Sequence, residues 1–445
     1  MAGYIEDRWW TKRPDPETGK KRKTARYGKG KRWRVAGIPG VRDRSFANKT
    51  GDDGADAWLA DAQSKSRSGD FIDPRSGDLT LAEYIEGEWW PSVTGDVATL
   101  QTVKGRVWTH IVPHLGHQRL NTIKVPQLRA FLKELDGTTG PGTVHAAWGY
   151  LSSILQTAVE GERIHKNYCT YRTAKAALPK PPERKARAWQ RDRIFAVQAA
   201  LHPRFQIMVD LGVGAGLRQG EVFGLAVDDV DADAAVIHVR RQVRKIGSKL
   251  VFAPPKGGKT RDVPLPQHIA RQLKAHLDQY PARQVTLPWI DPETPSTEKQ
   301  REARAPQTHT LIVTAVKGGA IRRDSWNLRE WKPALAAAGV IAEPEISVKP
   351  KNGRAQGRTV KKYEESRENG FHALRHTFAS VQLDARESVV AVSKWLGHAD
   401  PSITLRIYAH MMPEADGRGR AAMDAWFAAG SETISPDSPQ LPQAA

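Results

Sequence analysis

The spacing of apolar residues changes character along the 445-residue chain. Up to about residue 75 the apolar positions come in short aromatic and β-branched runs, "YIEDRWW", "KRWRVAGI" and "VRDRSF". Gly and Pro punctuate them, as in "YGKGK" and "IPG", which is the pattern of short strands joined by turns. "GADAWLADAQSKS" reads as a helix, so three small strands and one helix are predicted. "GDFIDPRSGD" is a linker by its Gly, Pro and Asp content. From Leu79 apolar residues recur at intervals of three and four in "TLAEYIEGEWWPSV", "ATLQTVKGRVWTHIVPHLG", "VPQLRAFLKELDG" and "GTVHAAWGYLSSILQTAVEGERI". That spacing places them on one face of a helix. Thr80 and Thr99 suit N-caps and Gly116 and Gly137 suit terminators, so a bundle of about four helices ending near Leu178 is predicted. Trp89, Trp90 and Trp148 are read as packing residues of that bundle.

"LPKPPERKAR" is a Pro-rich, basic tether. Beyond it the pattern mixes periods. Helices are predicted at "RDRIFAVQAAL", "FQIMVDLGVGAG" and "QHIARQLKAHLDQY", and strands at "AVIHVRRQV", "KLVFAPPK" and "RDVPLP". Residues 288–308 and 343–369 read as loops or insertions, the second strongly basic and poor in apolar residues. The tail "GSETISPDSPQLPQAA" has a disorder-like composition. The expected fold class is multidomain, mainly α with α+β. Residues 1–75 form a small β-sheet-plus-helix domain, 78–180 a helical bundle, 188–430 a mixed α/β domain and 431–445 a disordered tail.

Charge narrows the function. A formal net charge of +19 points to a polyanion, and nucleic acid is the commonest one. Lys21, Arg22, Lys23, Arg26, Lys31, Arg32 and Arg34 crowd the first unit, interleaved with Tyr27 and Trp33. They are candidate DNA contacts, with phosphate pairing supplying affinity; a solvated basic arm is the alternative. The one cysteine, Cys169, allows no internal disulfide and no Cys-based metal cluster, which fits a reducing compartment. There is no N-terminal apolar leader pattern and no run of about eighteen apolar residues. A cytoplasmic, nucleoid-associated protein without a membrane partner is expected.

Four separated pieces of the last domain carry candidate chemistry. In "GAGLRQGEVFGL", Gly216 permits a tight turn and Arg218 follows where a helix begins, a combination suited to an oxyanion. Glu221 lies three residues on and can orient Arg218; alone, the two read equally as a surface ion pair. In "APPKGGKTRDVPL" a glycine turn between strand-like runs presents Lys256 and Lys259 on a hairpin, where a lysine can protonate a leaving oxygen. Solvated loop lysines are the plainer reading. In "FHALRHTFAS", His372, Arg375 and His376 share one helix face. A metal site would want H-E-x-x-H with a third ligand, but Ala373 follows His372. In "VVAVSKWLGHADPSITLRIYAH", Gly397 ends a helix and leaves His398 on the turn. Asp400 and Pro401 start the next helix, and Tyr408 lies about two turns in. Two arginines, a lysine, two histidines and a tyrosine, without an acidic cluster, describe metal-free phosphoryl transfer to a phenol nucleophile.

These motifs, in this order, resemble the tyrosine recombinase family of the phage integrase kind: Arg in "GLRQGE", Lys in "PPKGGKTRDVPL", His-x-x-Arg in "HALRHT", His in "LGH" and Tyr in "IYAH". The bundle resembles the family's SAM-like core-binding domain, and the first unit, more loosely, the arm-type DNA-binding domain of larger integrases. The resemblance implies that Arg218 and Arg375 clamp the scissile phosphate and that His398 hydrogen-bonds it. It implies that His372 assists proton transfer from the nucleophile while His376 packs or orients the helix. It implies that Lys256 protonates the leaving 5′ oxygen, that Tyr408 forms a 3′-phosphotyrosyl bond and that Glu221 supports Arg218. Lys256 is preferred to Lys259 because it directly follows the first strand. The sequence has "AGLR" where Thr-Gly-Leu-Arg is frequent, and the basic insertion before Phe371 is longer than in compact members.

The implied activity is site-specific recombination of double-stranded DNA attachment sites by a homotetramer, integrating and excising a phage or other mobile element. No cofactor and no metal are implied. A recombination directionality factor or a host DNA-bending protein are implied accessory partners. The alternatives are a type IB topoisomerase-like enzyme, a DNA-binding regulator with the same fold, and a metal-dependent transposase, which would need an acidic triad.

Overall fold

A computed structural model describes residues 3–38, 42–68, 72, 75–181, 187–290, 298, 302, 304–351, 354–364, 368–411 and 417–431. The tail beyond residue 431, part of the Pro-rich tether and much of 288–308 lie outside these. The chain forms two compact units, Met1–Pro182 and Glu183–Ala445.

The first unit holds two separate apolar cores. Strands β1 (Tyr4–Asp7), β2 (Trp33–Ala36) and β3 (Arg44–Phe46) make an antiparallel sheet in that order. Helix α1 (Ala55–Ser68) follows. Val35, Ile38, Phe46, Ala55 and Ala62 form the small core there. The helical part begins at α2 (Leu81–Tyr84), where Thr80 and Glu83 make a reciprocal cap. It continues through a π-helical turn, Ile85–Trp89, into α3 (Trp90–Ser92). Helix α4 (Val97–His110) starts at Asp96 rather than at Thr99, which falls within its first turn. After α5 (Val112–Leu115), α6 (Val125–Asp136) buries Leu128, Phe131, Leu132 and Leu135 at three- and four-residue spacing and ends at Gly137. Helix α7 (Pro141–Glu160) has its proline at the first turn, where the missing N–H costs nothing. Trp89 and Trp148 are buried in this core, and α8 (Arg172–Lys175) closes it. Cys169 is buried too, and burial pushes its thiol up to about 12, so it stays a packing group.

The second unit wraps one large core. Helices α9 (Arg191–Ala200), α10 (Pro203–Gly214) and α11 (Gln219–Gly224) lead into two small antiparallel sheets. One has the order β4 (Val230–Asp231), β5 (Val236–Val239), β8 (Arg261–Pro264); the other pairs β6 (Gln242–Ile246) with β7 (Lys249–Ala253). The single strand expected from "AVIHVRRQV" is therefore split at Arg240–Arg241. There the Arg241 side chain turns inward to Asp229 Oδ2, 2.5 Å away. Likewise, β7 and β8 do not pair with each other. Pro254 and Pro255 have no N–H to extend the β7 ladder, and the chain crosses to the other sheet. The "PPKGGKT" turn is thus a connection between sheets, not the hairpin expected.

Helix α12 (Gln267–Gln279), the pair β9 (Arg283–Leu287) and β10 (Gln307–Leu311), α13 (Arg323–Trp326), a π-helical turn (Asn327–Trp331) and α14 (Lys332–Ala337) come next. The basic stretch at 343–369, expected as a loop, contains an antiparallel pair, β11 (Glu345–Lys351) and β12 (Arg354–Lys362). Ile346 and Val348 on it are exposed, so backbone pairing rather than core burial defines this hairpin.

Helices α15 (His372–Asp384), α16 (Val389–Leu396) and α17 (Pro401–Tyr408) complete the core, and α18 (Arg418–Ser431) follows with Trp426 and Phe427 exposed. The start of α15 is set by an aromatic group. Trp331 stacks on Trp189 and lies 5.4 Å from Phe371, ring centre to ring centre, and its indole N–H donates to the Asn369 carbonyl at 3.0 Å. Thr377 Oγ1 accepts the Trp189 backbone N–H at 2.9 Å, which ties the first turns of α15 to the segment before α9.

Candidate active site

A buried carboxylate with two arginines forms the floor of the site. Gly216 has φ +61°, and a Cβ there would sit 2.5 Å from the Phe378 ring; only glycine makes this turn against α15. The turn delivers Arg218 to the cap position of α11, where its backbone N–H donates to Glu221 Oε2 at 2.9 Å. Its guanidinium Nη1 donates to Glu221 Oε1, also at 2.9 Å. Arg261, on β8, approaches the same carboxylate from the other side, with Nη1 3.0 Å from Oε1 and Nη2 2.7 Å from Oε2. Glu221 is only 1% exposed. Burial alone would raise its carboxyl, but the Arg261 hydrogen bonds and the charges of Arg261, Arg218 and Arg375 hold it down at about 2.

The same three arginines dock on one helix end. The last carbonyls of a helix have no partner within it and carry the negative end of its dipole. At the end of α16, Trp395 O accepts from Arg261 Nε at 2.6 Å, Leu396 O from Arg375 Nη2, and Gly397 O from Arg218 Nη2 at 3.4 Å. Gly397 supplies the left-handed cap (φ 62°) that presents this turn. Arg375 also donates to Gly216 O at 2.7 Å and is 1% exposed. Burial, then repulsion by Arg218, lowers its pKa to about 9, which still leaves it charged at neutral pH. Three guanidinium groups against one carboxylate leave a cationic excess, and planar donors of this kind fit the oxygens of a phosphodiester.

Around this floor stand three histidines and the tyrosine. His398 follows the Gly397 cap, its Nδ1 2.7 Å from the hydroxyl of the fully buried Thr404. Asp400 caps α17 by accepting the Ser402 N–H at 2.9 Å, with Pro401 in the first turn. Tyr408 ends α17, 1% exposed, and its hydroxyl is 2.8 Å from His376 Nδ1. Burial pushes the phenol up to about 12 against the pull of Arg375 and Arg218. His376 and His398 are both lowered to about 4, first by burial and then by Arg375. His372 keeps an open, solvent-facing surface, yet the protein packed behind it and then the charge of its neighbours hold it well below the ordinary imidazole range. It lies beside His376, ring centres 4.7 Å apart and nearly perpendicular.

The structure thus brings Arg218, Glu221, Arg375, His372, His398 and Tyr408 into one neighbourhood. Lys256 and Lys259 remain exposed on the turn between β7 and β8. Of the basic residues at the N-terminus, Arg22 is paired with Asp15, Arg32 with Asp7 at 2.8 Å, and Arg34 with Asp43. Lys21, Lys23, Arg26 and Lys31 are exposed, with Lys23 over the Tyr27 ring. Among the described residues no group of three or more His, Cys, Asp or Glu side chains could hold a metal ion.

Two site residues were not anticipated. Arg261 shares the strand face of the buried Val263, and period-two alternation marks it as an inward arginine needing a buried carboxylate. His376, expected only to pack or orient the helix, instead meets the Tyr408 hydroxyl. Its shared face with His372 was the available signal.

Comparison with known proteins finds a family match within the second unit. Residues 347–414 match the phage integrase family. The chain is 24% identical over 373 residues to a tyrosine recombinase XerC-like protein of Caldanaerobacter subterraneus, covering 78% of this chain and 81% of that one. It is 26% identical over 239 residues to tyrosine recombinase XerA of Thermococcus kodakarensis, covering 53% of this chain and 62% of that one. In fold it is similar to the Tn1549 transposon integrase in complex with transposon right-end DNA, with a TM-score of 0.56 at 15% identity, covering 78% of this chain and 99% of that chain. It is also similar to lambda integrase in a tetramer bound to a Holliday junction, with a TM-score of 0.51 at 15% identity, covering 93% of this chain and 97% of that chain. The phage integrase family match thus lies in residues 347–414, and over most of its length the chain is similar to tyrosine recombinases, a family whose members are site-specific DNA recombinases.

Proposed function

We propose that this chain cleaves and rejoins duplex DNA through a 3′-phosphotyrosyl intermediate on Tyr408, and so integrates and excises a phage or other mobile element. The observation that carries the reading is the cationic floor itself: Arg218, Arg261 and Arg375 around one carboxylate, with a tyrosine phenol at the same site. Such a floor neutralises charge that builds on the non-bridging oxygens during attack. In this scheme Arg218 and Arg375 clamp the phosphate and His398 donates to it. His372, on the open side, faces the reacting groups. Lys256 reaches over from its exposed turn to protonate the 5′ oxygen. The bond energy of the phosphodiester is kept in the phosphotyrosyl link, so the 5′ hydroxyl of another strand can displace the tyrosine without ATP.

The bundle, residues 78–180, and the domain at 188–430 serve as core-site binding and catalytic parts. The exposed cations of residues 1–75 serve a second, arm-type contact. The likeness to the Tn1549 transposon integrase supports a mobile-element role, and the lambda integrase tetramer supports assembly of four protomers on two sites. Directionality or DNA-bending factors would act on that assembly. The test uses nicked duplexes with a randomised core, so that cleavage loses the short downstream fragment and traps the protein. The wild-type chain should enrich sequences as covalent adducts through their 3′ ends, and Tyr408→Phe should not. Trapping by Tyr408→Phe at the wild-type level would sink the assignment.

A further inference from the structure

We propose that His376 is the group that takes the phenol proton of Tyr408 when the tyrosine attacks. This rests on the reading of Tyr408 as the nucleophile, and it reassigns the proton that the family resemblance gives to His372.

The geometry is direct. His376 Nδ1 lies 2.8 Å from Tyr408 Oη, with ring centres 5.6 Å apart. A general base must be within about 2.6–3.2 Å of the oxygen it deprotonates. His372, one turn earlier on α15, makes no hydrogen bond to Tyr408 among the described residues; its open face points to where substrate arrives. The phenol is held in its protonated form, and the imidazole in its neutral form. Between these two neutral groups, the tautomer with the imidazole proton on Nε2 leaves Nδ1 to accept from the Tyr408 O–H, and this is the tautomer that the transfer uses. In that tautomer the lone pair that must receive the proton is already aimed at it.

Energetics favour transfer only when substrate is present. In the empty site, burial and the positive charge of Arg375 oppose protonation of His376. A phosphodiester seated on Arg218 and Arg375 offsets that charge, and the extra negative charge of the five-coordinate phosphorus offsets more. The imidazole then becomes a better base as the Oη–P bond forms. The Oη–H bond breaks and the Nδ1–H bond forms, giving an imidazolium. The Oη–P bond forms, the P–O5′ bond breaks, and the 5′ oxygen leaves as a hydroxyl with a proton from Lys256. In rejoining, His376 returns its proton to Oη as the tyrosine departs.

The test is single-turnover cleavage of a duplex enriched by the covalent capture described above, using the full chain. Asn at 376 retains an amide oxygen near the Nδ1 position but cannot take a proton, while Ala removes the group. Both His376→Asn and His376→Ala should slow formation of the adduct by about 10²–10⁴-fold. Replacing Tyr408 by 3,5-difluorotyrosine, whose phenol ionises more readily, should restore most of the rate in both variants. Two results would overturn the inference. One is His376→Asn cleaving within about threefold of wild type, since the ring would then only position the phenol. The other is a loss that difluorotyrosine leaves unchanged while both variants keep the wild-type unfolding temperature. Failure of the wild-type chain to form any adduct would instead remove Tyr408 as nucleophile, and the inference with it.

Discussion

Glu221→Gln keeps the shape of a buried side chain and removes its charge. In the native chain that carboxylate answers Arg218 and Arg261 at 2.7–3.0 Å and is shielded from water. Its carboxyl is held at about 2 instead of the ordinary 4.5. At 1.36 kcal/mol per pH unit, the depression corresponds to about 3 kcal/mol of stability. An independent figure agrees: removing one partner of a buried ion pair costs about 3–5 kcal/mol. The pH dependence has a definite sign. A depressed carboxyl contributes fully above about 4.5, and the contribution is lost as pH falls toward about 2. Glu221→Gln should therefore lower the unfolding temperature at pH 7 by roughly 6–12 °C for a unit of this size. The gap from wild type should narrow as pH drops below about 4.5, to roughly half its size by pH 3. The assay is thermal unfolding from pH 7 to pH 3, followed by tryptophan fluorescence, to which Trp189, Trp326 and Trp331 of this unit's core contribute. A Glu221→Gln chain as stable as wild type at pH 7, or a gap that does not depend on pH, would refute the reasoning.

Three further outcomes follow from the site. Thr404→Val removes the hydroxyl partner of His398 Nδ1 and should slow cleavage about threefold to tenfold, the worth of one hydrogen bond, with little change in fold; an unchanged rate would show that His398 needs no such anchor. Lys256→Ala should slow cleavage by about 10²–10⁴-fold and be rescued by a 5′-bridging sulfur, which leaves without a proton, whereas Lys259→Ala should stay close to wild type; the reverse ranking would move the acid to Lys259. Replacing the exposed Lys21, Lys23, Arg26 and Lys31 by Ala should reduce the slope of log affinity against log salt by roughly 3–4, and an unaltered slope would remove the N-terminal unit from DNA contact.

Local chemistry was the legible part of this sequence. Gly397 as a helix terminator and Asp400–Pro401 as a helix start are read from neighbours in the chain, so the positions of His398 and Tyr408 relative to those helix ends were legible in the sequence. The N-cap at Thr80 and the apolar face of α6 were legible for the same reason. What escaped depends on partners far along the chain. Arg261 finds Glu221 forty residues back, and His376 finds Tyr408 thirty-two residues on. The break at Arg240–Arg241 is caused by Asp229, twelve residues upstream of Arg241, and propensity alone carries no trace of it. The β11–β12 pair was hidden by composition: its exposed apolar residues, Ile346 and Val348, are too few to mark a strand against so many charges.

The identity of the nucleophile is the centre of the account. The most direct measurement is protease digestion of the trapped protein–DNA adduct, followed by mass spectrometry of the peptide that carries the nucleotide. The expected result is one modified peptide, with the 3′-phosphoryl group on Tyr408. A modified peptide that lacks Tyr408, or full DNA cleavage with no covalent adduct at all, would contradict it.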